Sequence, residues 1–206
     1  APEPAYTIRT MADDTAGLMA VLGIERAHVV GASMGGAIAQ TMAIEHPERL
    51  LTLTSIMATT GEPGLPPPTP EAMGVLLKPP VTTLDGYIRG YVETWKVLRA
   101  GSFPDDEALD RERAEAVFAR GLHPAGVARQ LAAILASGSR KAALRSVRVP
   151  TLVIHGDADP LVPLACGVDT AESVPGARLV VIPGMGHALP ISCWKRIVEE
   201  IATHAA

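Results

Sequence analysis

The sequence predicts an α/β fold in which helices cover both faces of a mostly parallel sheet. Short apolar runs alternate along the chain with segments of helical periodicity, and this alternation is typical of parallel sheets. Turn signals precede the two later runs: Pro150 before one and Pro175-Gly176 before the other. The candidate strands are Ala27–Val30, Leu50–Met57, Thr151–Ile154 and Arg178–Ile182.

The helices are predicted from their end signals and apolar stripes. Thr10 is the predicted N-cap of the first helix, with an acid three residues further on, and Gly23 suits its C-terminus. A second helix follows Ser33 and ends at His46-Pro47, and a terminal helix runs from Ile191 to His204. The predicted apolar face of the first helix consists of Met11, Leu18, Met19 and Leu22.

A change of pattern between Thr60 and about Val147 predicts an all-helical insertion. A proline-rich loop, GEPGLPPPTP, opens it, and three segments of helical character follow without a strand. Five of the seven aromatic residues lie there. We favour packing of the insertion onto the core for most of them, with one or two lining an apolar pocket as the alternative. The predicted organisation is a core in two parts, residues 1–60 and 147–206, with the insertion at residues 61–146.

Composition and charge exclude several classes of function. The chain has 206 residues, 48% of them hydrophobic, and a net charge of −4 without a basic stripe, which argues against nucleic acid as a partner. No apolar run approaches the roughly 20 residues that span a bilayer, and no secretory signal is visible. We therefore expect no membrane partner and a cytoplasmic location. Cys166 and Cys193 share no metal or redox spacing, which predicts two ordinary small apolar side chains.

A glycine-rich turn between the first strand and the second helix holds the first candidate for chemistry. A dinucleotide-binding turn would need glycine in place of Ser33, and a phosphate-binding loop would need lysine in place of Ala37. The pattern that remains is G-x-S-x-G, from Gly31 to Gly35, which holds a serine on a sharp strand-to-helix bend. The alternative is a serine that only caps the helix.

Two later loops supply the base and the acid that a reactive serine needs. VIHGDADPLVP and VIPGMGHALP each follow a predicted strand, at the edge where ligands bind in open α/β sheets. His187 is the candidate base, because it alone of the six histidines lies in a Gly-rich loop after a late strand. His155 ends a strand and is interpreted as filling space beneath the site. Asp159 is favoured as the acid because Pro160 restricts its backbone, and Asp157 remains the alternative.

Three motifs together resemble those of the α/β-hydrolase superfamily: RAHVVGASMGG, VPTLVIHGDADPLVP and IPGMGHALP, with a helical insertion between the first two. Within it they are similar to the bacterial carboxylesterases that include the aclacinomycin methylesterase type. The resemblance covers nearly the whole chain from about Tyr6, and it implies the α/β-hydrolase fold with a mobile helical cap. It also implies Ser33 as nucleophile, His187 as base and then acid, and Asp159 as orienting acid. The N–H of Met34 is then one oxyanion donor.

The front of the chain departs from this family pattern. The resemblance implies about four strands and a helix before the segment that matches Tyr6–Gly23, including a loop with the second oxyanion donor. Only 32 residues precede Ser33. We therefore expect either a piece of a longer polypeptide or a shortened hydrolase. In the second case the strand Ala27–Val30 becomes an open sheet edge, through which a homo-oligomer would form.

The function expected from these residues is hydrolysis of a fairly apolar, small-molecule carboxylic ester through an acyl-enzyme. No metal or organic cofactor is expected. Hydrolases of thioesters, lactones or carbon–carbon bonds, and perhydrolases, fit the same residues and stay open. A hypothesis from a different class is a catalytically weak fold that serves ligand binding or assembly.

Overall fold

In the computed structural model, which describes residues 4–79, 81–104 and 106–206, helices and strands follow one another in the predicted order. The strands are β1 (Ala27–Ala32), β2 (Leu50–Ile56), β3 (Thr151–Gly156) and β4 (Arg178–Ile182). The helices are α1 (Ile8–Val21), α2 (Met34–Glu45), α3 (Pro70–Leu76), α4 (Leu84–Leu98), α5 (Glu107–Ala119), α6 (Pro124–Ala136), α7 (Lys141–Leu144), α8 (Leu164–Ser173) and α9 (Ile191–Ala205). All four predicted strands are confirmed, and β1 and β3 each extend two residues further than expected.

The sheet is parallel throughout, with the strand order β1-β2-β3-β4. Every residue of β3 is buried, so both faces of the sheet are covered at that strand. β1 lies at the sheet edge, and alternate residues of it, His28 and Val30, are exposed. The carboxyl ends of β1, β3 and β4 consequently lie along one rim of the sheet, and the loops that follow them meet there.

Two apolar clusters hold the sheet against its helices. The first joins α1 and α2 to β2 through residues such as Met19, Met42 and Leu53. The second joins β3 and β4 to α9, with Leu152 and Ile197 among its members. Burial of a large apolar side chain contributes about 1.5–3 kcal/mol, so these clusters fix the strand ends firmly.

The first helix begins earlier than predicted. Its N-cap is Thr7 instead of Thr10, because the Thr7 hydroxyl accepts a hydrogen bond from the Thr10 N–H and the Thr10 hydroxyl accepts one from the Thr7 N–H. The predicted apolar face is also wrong, since Leu18 and Leu22 are exposed. Small side chains allow α1 to approach its neighbours closely on another face. The buried residues of α1 are Ile8, Ala12, Ala16 and Met19.

Between β2 and β3, the described residues form helices and loops only. The predicted core and insertion ranges also include residues 1–3, Pro80 and Asp105, which lie outside the described residues. Helices α4 and α5 pack through aromatic rings, with the ring centroids of Tyr87 and Phe118 5.8 Å apart. Aromatic residues in this region therefore pack the helices against one another.

On two helices, apolar residues that recur at helical spacing lie largely in solvent. On α6, Val127, Ile134 and Leu135 are exposed, and the end of this helix is tied to α1 by the Ile8 N–H, which donates to Ser137 Oγ at 3.0 Å. On α9, Ile197 is buried and Ile201 is partly buried. The exposed members of the α9 stripe are Ile191, Trp194 and Val198. Within the described ranges, no helix has the length and apolar character needed to cross a membrane.

Candidate active site

Ser33 occupies a strained turn between β1 and α2. Its φ is 54° and its ψ is −121°, a conformation that non-glycine residues rarely adopt. The Ser33 N–H donates to the Ile56 carbonyl at 2.9 Å, which ties the turn to the end of β2. The Ser33 side chain makes no capping hydrogen bond to α2, so the alternative of a serine that only caps the helix is wrong.

Glycine is required at two positions around this turn. A Cβ atom on Gly31 would lie 2.0 Å from the Gly35 carbonyl oxygen, and one on Gly36 would lie 2.5 Å from Ala58 Cβ. A Cβ on Gly35, by contrast, would meet nothing within 4 Å. The turn therefore needs glycine at positions 31 and 36. Gly35, the last glycine of G-x-S-x-G, has room for a side chain.

The structure brings Ser33, His187 and Asp159 together in one line of hydrogen bonds. His187 Nε2 lies 2.8 Å from Ser33 Oγ, and His187 Nδ1 lies 2.8 Å from Asp159 Oδ2. Asp159 is acceptor-only when ionised, so it receives the Nδ1–H and leaves the Nε2 lone pair facing the serine hydroxyl. His187 is 4% exposed and Asp159 is 5% exposed, so both contacts lie mostly out of water.

The loop that follows β3, here called the acid loop, holds Asp157 and Asp159. The two carboxylates have different partners. Asp159 Oδ1 accepts hydrogen bonds from the N–H groups of Leu161 at 2.9 Å and Val162 at 2.8 Å. Asp157 instead accepts a hydrogen bond from the Gly184 N–H at 2.6 Å. Asp159 is the carboxylate that contacts His187. Asp157 joins the acid loop to the loop that follows β4 and carries His187, here called the base loop.

A further contact joins the same two loops. A Cβ atom on Gly156 would lie 1.8 Å from the Met185 carbonyl oxygen, and the Ala158 N–H donates to that oxygen at 3.2 Å. The backbone of the base loop thus packs directly against the end of β3. This contact fixes the distance between Asp159 and His187.

His155 supports the acid loop from below. It is fully buried, and its Nε2–H donates to the Val162 carbonyl at 2.7 Å while lying 3.8 Å from Asp159 Oδ2. Burial lowers the pKa of His155 below its usual value of 6.5, which favours the neutral ring. Its face packs against Gly167, where a Cβ would lie 2.4 Å from Nδ1. The sequence analysis did not predict this hydrogen bond between His155 and the acid loop. The position of His155, four residues before Asp159, was the available indication that the two side chains lie close together.

Met34 is the first residue of α2 and follows Ser33 directly. The N–H groups of the first helical turn have no intrahelical acceptor, so the Met34 N–H is available to an anion beside the serine. The positive end of the α2 dipole acts in the same direction. This end of the helix can therefore stabilise negative charge that develops near Ser33 Oγ.

The two cysteines lie outside the line of hydrogen bonds that joins Ser33, His187 and Asp159. Cys166 and Cys193 are buried, as expected of small apolar side chains, and burial raises the pKa of each thiol. In the part of the chain that the structure describes, no three His, Cys, Asp or Glu side chains gather as metal ligands would.

A groove of about 560 Å³ lies beside the base loop, between it and the start of α5. Its walls include Leu109 from α5 and Leu189 and Ile191 from the start of α9. Neither Ser33 nor His187 lines it, so the groove adjoins the hydrogen-bonded line without containing it.

Comparison with known proteins identifies the family. A family model described as the alpha/beta hydrolase fold matches residues 1–192. This match spans most of the chain, so the chain belongs to the α/β-hydrolase family and the resemblance read from the three motifs is confirmed.

Two curated relatives and one solved structure extend this result. The rhodomycin D methylesterase DauP of Streptomyces sp. (strain C5) is 32% identical, over 97% of this chain and 73% of the relative. The 2-hydroxymuconate semialdehyde hydrolase of Pseudomonas sp. (strain CF600) is 30% identical, over 88% of this chain and 62% of the relative. The meta-cleavage product hydrolase CumD of Pseudomonas fluorescens IP01 has a TM-score of 0.79 at 24% identity, over all of this chain and 75% of its own, and supports the fold alone. The relatives are hydrolases that differ in substrate.

Proposed function

We propose that the chain is a serine hydrolase that cleaves carboxylic esters through an acyl-enzyme. The observation that carries the proposal is the line from Ser33 Oγ through His187 to Asp159, joined by two contacts of 2.8 Å. A serine hydroxyl is a weak nucleophile unless a base takes its proton and a third group orients the base. The three side chains supply these three roles in the required order.

In the first step Ser33 Oγ attacks the ester carbonyl and its proton passes to His187 Nε2. Asp159 stabilises the resulting imidazolium through Nδ1–H, and its own position is held by the Leu161 and Val162 amides. The Met34 N–H donates to the oxyanion. One such donor is typically worth about 10²–10³ in kcat. His187 then returns the proton to the departing alkoxide, which leaves as the alcohol.

In the second step a water molecule attacks the acyl-enzyme, with His187 again as the base. The carboxylic acid leaves as Ser33 recovers its proton, so each group ends the cycle in its initial state. We assign methyl esters as the substrates within this class, and the identity to a rhodomycin D methylesterase supports this assignment.

Replacement of the nucleophile tests the reaction directly. Ser33→Ala is expected to lower kcat for a p-nitrophenyl ester by about 10⁴-fold or more, while Ser146→Ala, which changes an exposed serine on another loop, keeps wild-type turnover. Turnover by Ser33→Ala at the wild-type rate would contradict the proposed nucleophile.

Carbon–carbon bond hydrolysis is the second candidate, and identity to a 2-hydroxymuconate semialdehyde hydrolase supports it. Relative kcat/KM for a methyl ester and for a dienoic ring-cleavage product separates the two functions. A higher value for the ester supports the first function, and a higher value for the ring-cleavage product supports the second. Both activities should disappear together in Ser33→Ala.

A further inference from the structure

The end of α4 lies directly against the loop that carries His187. The His187 N–H donates to the Leu98 carbonyl at 2.7 Å. Leu98 is the last residue of α4, and carbonyls in the last turn of a helix have no intrahelical donor. The Leu98 carbonyl of the insertion and the His187 N–H of the base loop therefore satisfy each other's need for a hydrogen-bond partner.

The contact is close on both sides of this hydrogen bond. A Cβ atom on Gly186 would lie 2.3 Å from the Leu98 oxygen and 2.7 Å from the Arg99 oxygen. A Cβ on Gly184 would lie 3.0 Å from Ser102 Cβ. The backbone of the base loop thus follows the surface of the α4 terminus over several residues, with no room for a methyl group at Gly186.

A buried ion pair holds the end of α4 in place. The Arg99 guanidinium donates to the Asp110 carboxylate of α5, and the two side chains are 9% and 1% exposed. Ala100 and Gly101 then adopt positive φ values of 61° and 71°, which turns the chain sharply back toward the base loop. Phe103, just after this turn, packs against the apolar cluster beneath β4.

From these contacts we propose that the end of α4, clamped by the Arg99–Asp110 pair, positions His187 for proton transfer from Ser33. Leu98, Arg99, Asp110 and Gly186 are positioning residues, since they act through the base loop. The inference rests on the proposed function, because it assigns a task only if His187 is the base. It predicts that changes in the insertion alter the rate of the chemical step more than substrate binding.

Two substitutions test the two ends of this chain of contacts. Gly186→Ala places a methyl group against the Leu98 carbonyl without changing any charge. Its φ lies outside the left-handed region, so the substitution adds no left-handed strain and acts through this backbone contact. Asp110→Asn removes the negative charge of the Arg99–Asp110 ion pair and so weakens the contact that holds the end of α4. A displacement of about 1 Å can cost about 10² in rate, so we expect kcat to fall by about 10- to 100-fold in Gly186→Ala and by about 10-fold in Asp110→Asn.

Matched controls separate this effect from a loss of stability. Gly90→Ala adds a methyl to α4 at a position with nothing within 4 Å. Asp169→Asn weakens another ion pair, between Asp169 of α8 and Lys141 of the insertion, away from the base loop. Both controls should retain kcat within about two-fold, since neither residue touches the hydrogen-bonded line. All assays are run well below the lowest Tm in the set.

The readouts are kcat, KM and the rate at which a fluorophosphonate labels Ser33. The proposal expects kcat and the labelling rate to fall together in both test variants, with KM changed less than about two-fold. Wild-type kcat in Asp110→Asn, or an effect confined to KM, would overturn it. If Asp110→Asn does not fold, Arg99→Lys replaces it, because lysine cannot reproduce the guanidinium geometry. Absence of labelling in the wild-type protein would instead overturn the proposed function.

Discussion

The turn that carries Ser33 and the loops that carry Asp159 and His187 share close backbone contacts but differ in charge and in side-chain hydrogen bonds. The turn depends on close backbone contact, with no space for a methyl group at Gly31, and on a strained serine conformation. The loops also have close backbone contacts, at Gly156 and Gly186, and they depend in addition on hydrogen bonds, such as those from the Leu161 and Val162 amides to Asp159. Added volume should therefore disturb both sides of the candidate site, whereas lost charge and lost side-chain hydrogen bonds should disturb the loops.

The largest expected effect is the removal of charge from the acid loop. Asp159→Asn should lower kcat by about 10⁴-fold, because the amide no longer stabilises an imidazolium and allows the wrong tautomer of His187. Asp157→Asn is the matched control and should lower kcat only a few-fold, since it keeps an acceptor for the Gly184 N–H. Steady-state kinetics with one ester measure both. A greater loss in Asp157→Asn than in Asp159→Asn would reverse the assignment.

The next effect is a change of volume in the nucleophile turn. Gly31→Ala should destabilise the fold by about 3 kcal/mol, because its methyl would overlap the Gly35 carbonyl oxygen. Gly35→Ala should change the free energy of unfolding by less than about 1 kcal/mol, because its methyl meets nothing. Urea unfolding of the two variants measures the difference. Equal destabilisation would show that the turn does not depend on contact at Gly31.

The smallest effect concerns the titration of His155. Its pKa is lowered in the folded state, so below about pH 6.5 the unfolded chain binds more protons than the folded one at this residue. Stability should therefore fall as the pH decreases below 6.5. His155→Gln removes this contribution, which is at most about 1.4 kcal/mol per pH unit.

Urea unfolding between pH 7.5 and pH 5 compares the two proteins. The free energy of unfolding should decrease less steeply toward low pH in His155→Gln than in the wild type. Identical slopes would mean that the buried ring takes up no extra proton on unfolding. This pH dependence of stability belongs to the acid-loop side of the site, where His155 lies.

The sequence predicted the strands and the three side chains of the site because those features are local. Apolar runs mark buried strands, and Gly31 and Ser33 mark a bend whose geometry few other residues permit. Asp159 and His187 were found because loops at the carboxyl ends of parallel strands meet at one rim. Pro160 favoured Asp159 over Asp157 in the sequence, and the contact of Asp159 with His187 agrees with that choice.

Other features could not be predicted from local patterns. The face that α1 buries is set by the distance to its neighbours, which small residues such as Ala12 and Ala16 allow to be short. Val127 and Leu135 on α6 are exposed, although the periodicity of that helix is that of a packed helix. The contact of Leu98 with His187 joins residues 89 positions apart through backbone atoms, so no side-chain pattern records it.

Mass spectrometry of the protein after treatment with a fluorophosphonate tests the central claim most directly. We expect one label per chain, carried by the peptide that contains Ser33, and much slower labelling in Asp159→Asn. A folded wild-type protein that stays unlabelled, or a label on another serine, would contradict the activation of Ser33 by His187 and Asp159.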